Sequence, residues 1–261
     1  MATLEERDPT GRPEPTPPEY LNARTEFAQA YLAGEGLEIG GLNWPLDAPA
    51  GATVRQVDRM STDDLRREYP EMADHPLLNV DIVDDGETLK TVPEDSQDFI
   101  IANHFLEHTE DPIGTIGIHL GKLKPGGILF YAVPDKRYTF DFRRTITPLE
   151  HMVRDHEEGP AGSRREHFDE WTYQVGGTEE DRATDEAYAK FEEWAEREAR
   201  RLEDEDFSIH RHVWDQGSFL RLLLHCRERF GNFDIEATAS WSIEIVAILR
   251  KKGAWPAPPG R

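Results

Sequence analysis

Four segments between residues 36 and 134 decide the fold: Gly36-Leu-Glu-Ile-Gly-Gly41, Val54-Arg-Gln-Val-Asp58, Asp98-Phe-Ile-Ile-Ala-Asn-His-Phe-Leu-Glu-His108 and Leu123-Lys-Pro-Gly-Gly-Ile-Leu-Phe-Tyr-Ala-Val-Pro134. Each is a short apolar run that carries glycine, aspartate, asparagine or histidine at or near its carboxyl end. Such runs are typical of a parallel sheet that is covered on both faces. Ligands of open α/β sheets bind where the carboxyl ends of the strands meet. The segments therefore predict an α/β domain with a ligand site at one sheet edge.

The bulk composition limits both the size of the protein and its partners. A chain of 261 residues is long enough for one core and one insertion. Its 30 Lys and Arg against 52 Asp and Glu give a net charge of −22. This charge argues against a nucleic-acid partner and against an anionic membrane surface. We therefore expect a small-molecule partner, no nucleic acid and no membrane.

Cysteine content and hydropathy bear on the compartment and on metal chemistry. The one cysteine, Cys226, lies in an apolar run, which predicts a buried structural thiol. A lone cysteine excludes an internal disulfide and a zinc site built on several cysteines. No run reaches transmembrane length, and the first residues lack the apolar segment of a signal peptide. These features predict a cytoplasmic protein.

The first half of the chain alternates strand and helix patterns after a polar start. Residues 1–18 contain five prolines and many charges, which is typical of a disordered arm. Residues 19–137 form the first half of the core and begin with an amphipathic helix at 19–33. Trp44-Pro-Leu-Asp-Ala-Pro-Ala-Gly51 has the composition of a loop, so the helix that normally joins strands one and two is missing or very short. The strands are predicted at 37–39, 53–57, 77–83, 99–102 and 128–133, and helices begin at Ser61 and Pro112.

The pattern changes after the fifth strand. Residues 138–206 are rich in charges and aromatic side chains, and within them residues 184–203 predict one strongly charged helix. We interpret 138–206 as a helical cap over the sheet edge, with a solvated arm or an oligomer contact as the alternative. Residues 207–261 return to the core, with a helix at 215–230 and two alternating strands at 233–241 and 242–251 that form a hairpin.

The ordered segments resemble a class I S-adenosylmethionine (SAM) dependent methyltransferase of the small-molecule type. The resemblance rests on the four segments, on Phe105-Leu-Glu-His108 with Asp111-Pro112, on the Lys124-Pro-Gly-Gly127 turn and on the terminal hairpin. It covers residues 34 to 135 and does not extend to the cap. It implies a Rossmann-like, mostly parallel seven-stranded sheet with helices on both faces, an antiparallel terminal hairpin and a helical cap after strand five.

The resemblance also implies SAM as cofactor and a set of residues that contact it. The loop Glu38-Ile-Gly-Gly-Leu-Asn43 has two adjacent glycines but lacks the third glycine that a pyrophosphate-binding loop requires. SAM carries no phosphate, so two glycines suffice for a close backbone approach. A carboxylate after strand two can accept both ribose hydroxyls. The implied cofactor residues are Glu38, Gly40, Gly41, Asn43, Asp58, Arg59, Asp81, Ile82, Asp84, Asn103 and His104.

Histidines are the candidates for the chemistry, because an imidazole suits the removal of a hydroxyl proton near neutral pH. His108 is the first candidate base and His104 the second, with a purely structural hydrogen-bonding role as the alternative for His108. In Ser208-Ile-His-Arg-His-Val-Trp214, an extended chain places His210 and His212 on one face. These two are further catalytic candidates.

Substrate contacts are predicted from the cap and from the end of strand five. Together with His156 and His167, the histidines at 210 and 212 can line a polar pocket or chelate a divalent metal. No carboxylate stands at a defined spacing from them, so the sequence commits to no metal site. Asp135, Arg137 and Tyr138 follow strand five directly and are expected to face the same cleft.

Taken together, the sequence predicts O-methylation of a small polar molecule, such as a sugar or glycan hydroxyl or a secondary metabolite, with a histidine base. N-methylation stays open. Two alternatives are an NAD-linked oxidoreductase of similar topology and a methyltransferase-like module that binds without catalysis. A cap with apolar residues also leaves a homodimer open.

Overall fold

The structure of the chain is a computed structural model that describes residues 17–70, 75, 77–178 and 180–253. The predicted disordered arm at 1–18 lies almost entirely outside these residues. Within the described ranges, no helix is both long and apolar enough to cross a membrane.

Seven strands form one sheet in the order β3-β2-β1-β4-β5-β7-β6. The first five strands run parallel, and β7 runs antiparallel to both of its neighbours. This arrangement confirms the mostly parallel sheet with an antiparallel terminal hairpin. The strands are β1 (Gly34–Ile39), β2 (Ala52–Asp58), β3 (Ile82–Val83), β4 (Gln97–Asn103), β5 (Leu123–Pro134), β6 (Phe233–Trp241) and β7 (Glu244–Lys251).

Helices cover both faces of the sheet, as the fold prediction requires. Side chains alternate along β4, so that Phe99 and Ile101 pack towards one face and Ile100 and Ala102 towards the other. The first face is covered by the first helix, and the second face by the third, fourth and seventh helices. The helices of the described residues are α1 (Pro17–Tyr31), α2 (Thr62–Glu68), α3 (Pro112–Lys122), α4 (Leu149–Glu158), α5 (Arg164–Val175), α6 (Asp185–Asp204) and α7 (Gln216–Phe230).

Two strand predictions were wrong in detail. The first strand begins at Gly34 and not at residue 37, and within it a Cβ on Gly36 would lie 2.3 Å from the Phe99 ring. The run at 77–83 forms only a two-residue strand, because Leu78 donates its N–H to the carbonyl of Leu42 and not to a neighbouring strand. A short apolar run does not reveal which backbone partner will accept its hydrogen bonds.

The predicted turn at Lys124-Pro-Gly-Gly127 is part of β5. The pairing with β4 shifts register between Gln97 and Phe99, which marks an irregularity of the bulge type. Gly126 has a φ of 86°, in the left-handed region that glycine adopts without steric cost. The motif therefore bends a strand and does not precede one.

The cap is built on α5 and α6, whose facing side chains make a small apolar cluster of their own. Its members are Phe168, Trp171, Ala199, Leu202 and Ile209. Met152 of α4 is buried in the main core. The fourth helix thus joins the cap to the sheet domain.

Candidate functional site

The carboxyl ends of the five parallel strands meet at one edge of the sheet. The residues that follow them are Gly40 after β1, Asp58 at the end of β2, Asp84 after β3, His104 after β4 and Asp135 after β5. In this fold class such an edge holds the ligand. The sequence prediction of one ligand edge agrees with this topology.

The loop after β1 leaves open space beside its backbone. Gly40 has a φ of 68°, and a Cβ placed on it would have no heavy atom within 4 Å. Leu42 also lies in the left-handed region, at a φ of 45°, and Trp44 donates its N–H to the carbonyl of Gly41 over 2.8 Å. The loop therefore takes its tight shape without the third glycine, and no helix follows it before β2 in residues 40–51.

Glu38 fixes this loop to the second strand. Its buried carboxylate accepts the N–H of Leu46 over 2.8 Å and the side-chain amide of Gln56 over 3.0 Å. Burial raises the pKa of Glu38. Both carboxylate oxygens are therefore occupied by the protein. The predicted cofactor role of Glu38 is an indirect one in this geometry, since it shapes the loop that contains Gly40 and Gly41.

Asp58 stands at the edge itself. Its carboxylate accepts the N–H of Met60 over 3.3 Å, and burial raises its pKa. The neighbouring Arg59 lies 3.7 Å from the carboxylate of Glu68, and about two fifths of its side chain is exposed, at 41%. The carboxylate thus remains half-buried at the end of β2, where a ribose would reach it.

The two carboxylates that were candidates for cofactor binding near β3 accept hydrogen bonds from backbone N–H groups. Asp81 accepts the N–H of Gln56 over 2.8 Å and so continues the pairing with β2. Asp84 accepts the N–H and the hydroxyl of Thr91, each over 2.7 Å, and the N–H of Asp85 over 2.8 Å. Asp84 therefore builds its own loop and leaves a ligand little access to its oxygens, whereas Ile82 remains partly exposed.

Glu87 gives the same loop a dependence on pH. Its carboxylate accepts the N–H of Glu110, and burial raises its pKa from 4.5 to about 7. A carboxyl whose pKa is raised in the folded state stabilises the fold at low pH and loses this contribution as the pH rises through 7. Replacing Glu87 with Gln keeps an acceptor for Glu110 and removes the charge.

We expect Glu87→Gln to gain stability over the wild type as the pH increases from 5 to 8. The upper limit of this gain is about 3 kcal/mol, from a shift of roughly two and a half pKa units. Urea unfolding of both proteins at four pH values measures it. A difference in unfolding free energy that does not change with pH would contradict the assignment.

Asn103 is the most incompletely satisfied polar group at the edge. Both its side-chain oxygen and its side-chain nitrogen are buried without a hydrogen-bond partner among the described residues. Leaving a buried amide unpaired costs about 1–3 kcal/mol for each group, so such an amide indicates a missing ligand or water. Asn103 ends β4 and so lies at the centre of the sheet edge.

His104 contacts the ion pair of Glu244 and Arg24. It has a φ of 49°, and its Nε2 contacts Glu244, whose other oxygen accepts the Nε of Arg24 over 2.8 Å. Burial and the positive charge of Arg24 place the pKa of His104 well below its usual value. His104 is therefore a neutral ring with one nitrogen bound to the protein, which makes it a poor candidate for the base.

A histidine–carboxylate group lies between β4 and the cap, and we call it the His210 cluster. It consists of Glu107, His108, Asp141 and His210. Nδ1 of His210 is 2.6 Å from Oδ2 of Asp141, and the other oxygen of Asp141 accepts Nη1 of Arg144 over 2.9 Å. The rings of His108 and His210 meet edge to face, with centroids 4.8 Å apart. One carboxylate thus orients one imidazole beside a second imidazole.

The charges within the His210 cluster follow from burial and pairing. Although burial acts in the opposite direction, the contacts with His210 and Arg144 lower the pKa of Asp141. Burial, together with His210, lowers the pKa of His108 to about 3. Burial raises the pKa of Glu107 to about 7, and its two carboxyl oxygens have no hydrogen-bond partner among the described residues. Asp141 is therefore ionised and His108 neutral at physiological pH.

The residues after β5 are paired with one another. Asp135 is fully buried. Its Oδ1 accepts a hydrogen bond from Nε of Arg137 over 2.9 Å, and its Oδ2 accepts one from Nη2 of Arg137 over 2.6 Å. The guanidinium of Arg137 lies 5.4 Å from the ring centroid of Tyr138. Half of the Arg137 side chain is exposed, at 50%. Asp135 thus positions Arg137, and Arg137 and Tyr138 are the members of this group that a substrate can contact.

The structure places His156, His167, His210 and His212 in different surroundings. His156 bonds to Asp111 at the start of α3 over 2.8 Å, whereas the rings of His167 and His212 meet edge to face with centroids 5.0 Å apart. His210 and His212 separate because the N–H groups of Arg211 and His212 both donate to the carbonyl of Glu107. Consecutive N–H groups of an extended strand point in opposite directions, so this segment is bent.

Several residues of the site were not identified from the sequence. Glu107 lies inside the quoted Phe105–His108 motif, but nothing in the sequence shows that this glutamate is buried. Asp141 and Glu244 carry no signal in a single sequence, since only the fold brings them to His210 and His104. Gln56, whose side-chain oxygen is buried and unpaired, lies on a strand whose alternation shows nothing unusual.

The edge fits the cofactor that the resemblance implies. The unpaired amide of Asn103 and the open space beside Gly40 are the two features of the structure that a bound ligand would fill. A carboxylate at the end of β2 suits the two hydroxyls of a ribose. The groups that fit the cofactor are a neutral amide, a glycine backbone and a carboxylate. None of them carries the positive charge that would attract a phosphate, and SAM has no phosphate.

Comparison with solved structures shows the same fold in distant proteins. A provisionally named Zn-dependent alcohol dehydrogenase from Rhodobacter sphaeroides is 17% identical, with a TM-score of 0.51 over 92% of each chain. SAM-dependent methyltransferases from Mesorhizobium loti and Aquifex aeolicus are 15% and 12% identical, with TM-scores of 0.46 and 0.45. The former match covers 89% of this chain and 96% of the other, and the latter 95% of each. At these identities the similarity concerns the fold alone.

The family assignment comes from the sequence itself. No curated protein sequence matches the chain. The profile of a methyltransferase domain family matches residues 48–223, which is more than half of the chain and extends from the loop before β2 into α7. The chain therefore belongs to the methyltransferase domain family and is a class I SAM-dependent methyltransferase, with SAM as its cofactor.

Proposed function

We propose that this methyltransferase O-methylates a small polar molecule, such as a sugar or glycan hydroxyl or a secondary metabolite, with His210 as general base. The observation that carries the proposal is the short contact between Nδ1 of His210 and the ionised Asp141. A carboxylate on Nδ1 keeps the proton on that nitrogen, so that Nε2 presents its lone pair and the imidazolium is stabilised when it forms.

The proposed cofactor contacts follow the sheet edge. The backbone at Gly40 and Gly41, the side chain of Asn43 and the amide of Asn103 are available to the amino-acid end, and Asp58 to the ribose. Bound SAM supplies an electrophilic methyl group on a sulfonium. What remains for the protein is to align the acceptor and to take its proton.

His210 is preferred to His108 as the base, although the sequence favoured His108. Nδ1 of His108 lies 2.9 Å from the carbonyl of Ile209, which fixes the proton there and leaves Nε2 as an acceptor. Its pKa of about 3 makes it a weak base at neutral pH. His108 therefore orients the acceptor or His210, and His210 removes the proton.

The surroundings of His210 suit a hydroxyl-rich acceptor. Phe140, 38% of which is exposed, has its ring centroid 4.7 Å from that of His210. Tyr138 is exposed to the same extent, and Arg137 lies over it. Exposed aromatic faces beside a hydrogen-bonding cation are the groups that stack on a sugar ring or a flat metabolite and bind its hydroxyls. The net charge of −22 disfavours a polyanionic acceptor.

The test is methyl transfer from SAM with a labelled methyl group to matched acceptors. Each set contains a hydroxylated compound, its deoxy analogue and its amino analogue, with sugars and aromatic metabolites as the two scaffolds. We expect transfer to the hydroxylated member and loss of transfer to the deoxy member, with mass spectrometry locating the methyl group on oxygen.

Other results would revise the proposal in defined ways. Transfer to the amino member alone would replace O-methylation by N-methylation. Binding of SAM without turnover on either scaffold would favour the non-catalytic module. Binding of NAD in place of SAM would contradict the cofactor.

A further inference from the structure

A second group of histidines lies in the cap, outside the His210 cluster. His151 and Asp155 are one turn apart on α4, and His167 lies on α5. Nε2 of His151 is 3.2 Å from Nε2 of His167 and 3.0 Å from Oδ2 of Asp155, and the third distance, from His167 to Asp155, is 3.9 Å. We call these three residues the His151 cluster. Its three atoms form a triangle with sides between 3.0 and 3.9 Å.

The triangle has the dimensions of one face of a zinc site. Ligand atoms that lie 2.0–2.1 Å from a tetrahedral Zn²⁺ are separated by about 3.3 Å, and two histidine rings on such an ion have centroids about 5 Å apart. The centroids of His151 and His167 are 4.9 Å apart, and His212 lies 5.0 Å from His167 and 6.2 Å from His151. His212 is thus a neighbour of the triangle, although only His151, Asp155 and His167 have ligand atoms that all lie within 4.8 Å of one another.

The polar atoms of the group are buried and not fully used by the protein. Oδ2 of Asp155 and both ring nitrogens of His212 are buried without a hydrogen-bond partner among the described residues. Only 2% of the Asp155 side chain is exposed, and His212 is fully buried. Unpaired buried atoms that surround one point are expected where a cation is to be bound.

The surrounding contacts orient these ligands. The other oxygen of Asp155 accepts the hydroxyl of Ser163 over 2.6 Å. The backbone of Arg211 makes a hydrogen bond with the ring of His167. Metal-binding histidines typically donate their second N–H to a carbonyl in this way.

We propose that His151, Asp155 and His167 bind one Zn²⁺ ion in the cap and that the neighbouring His212 turns towards it as the fourth ligand. The ion joins α4, α5 and the segment before α7, and that segment also carries His210. Its role is structural, because all four directions are taken by protein ligands. The inference does not depend on the proposed acceptor or on the choice of base.

One contact has to change when zinc binds. Nη2 of Arg154 donates to Nδ1 of His151 over 2.9 Å, but a His151 that ligates through Nε2 must carry its proton on Nδ1. Arg154 is exposed and can turn into solvent. Replacing Arg154 with Ala is therefore expected to maintain or strengthen zinc binding.

The experiment is zinc titration of the full chain after removal of metal with a chelator. A chromophoric chelator competes for Zn²⁺, and Co²⁺ is added in parallel because tetrahedral Co²⁺ gives intense visible bands. We expect one Zn²⁺ per chain, with a dissociation constant below about 1 μM. We also expect the intense tetrahedral spectrum of Co²⁺. Failure of the folded wild type to bind zinc in this range would overturn the proposal.

Matched variants locate the ion. Asp155→Asn and His167→Ala are expected to lower zinc affinity at least 100-fold, whereas His156→Ala, on the same helix as Asp155 but bonded to Asp111, is expected to bind as the wild type does. Circular dichroism checks that each variant is folded. Loss of zinc from His210→Ala with retention in Asp155→Asn would place the ion at Glu107, His108 and His210 and would also overturn the proposal.

Discussion

Replacing His210 with Ala is expected to lower kcat for methyl transfer by about 10²–10⁴-fold, which is the usual contribution of a general base. The acceptor hydroxyl has a pKa far above 7, so it attacks slowly unless its proton is removed during the transfer. SAM affinity should change by less than about twofold, because a group that acts on the acceptor alone contributes little to cofactor binding. Steady-state kinetics and calorimetric titration with SAM measure the two effects separately.

Two further variants test the assignment of roles around His210. Asp141→Asn keeps the shape of the carboxylate but not its charge, so we expect a smaller loss of kcat than in His210→Ala. Asp141 also pairs with Arg144, and thermal unfolding must show that this variant is still folded. His75→Ala serves as the control, because His75 is exposed and lies outside the site. If His210→Ala keeps most of the activity and His108→Ala loses it, the base is His108.

The positions of most strands were predictable because their signals are local. Each strand of the first half combines an apolar run with a characteristic end residue, and Asp58 and Asn103 stand at strand ends in the structure as in the sequence. Ser61 caps α2 through the N–H of Asp64, again as the local pattern indicates. Signals of this kind depend on neighbours within a few residues, which a single sequence displays.

The site was only partly predictable because its contacts are distant in the chain. Asp141 and His210 are 69 residues apart, and nothing in either neighbourhood indicates the other. The alternation of His210 and His212 suggested a shared face, but the carbonyl of Glu107 bends the segment between them. Asp84 was one of the implied cofactor residues, yet it is bonded to Thr91 within its own loop. A carboxylate at a strand end does not reveal whether a ligand or a neighbouring N–H will occupy it.

Replacing Asp58 with Ala is expected to raise the dissociation constants of SAM and of S-adenosylhomocysteine by about 100-fold or more. A carboxylate that accepts both ribose hydroxyls makes two charge-assisted hydrogen bonds, each worth about 1.5–3 kcal/mol. The charged form is required, and burial raises the pKa of Asp58. Affinity for SAM should therefore weaken as the pH falls through that raised pKa, and this dependence should disappear in Asp58→Ala.

Calorimetric titration separates this effect from general damage to the site. Asp63→Ala is the matched control, since Asp63 lies five residues further along and makes an exposed pair with Arg66 that contributes little to stability. Asp58→Asn keeps the acceptor for Met60 but not the charge, so its affinity should lie between those of the wild type and Asp58→Ala. SAM binding to Asp58→Ala with the affinity of the wild type would show that the ribose lies elsewhere. The loop with Gly40 and Leu42 would then hold the cofactor in another orientation.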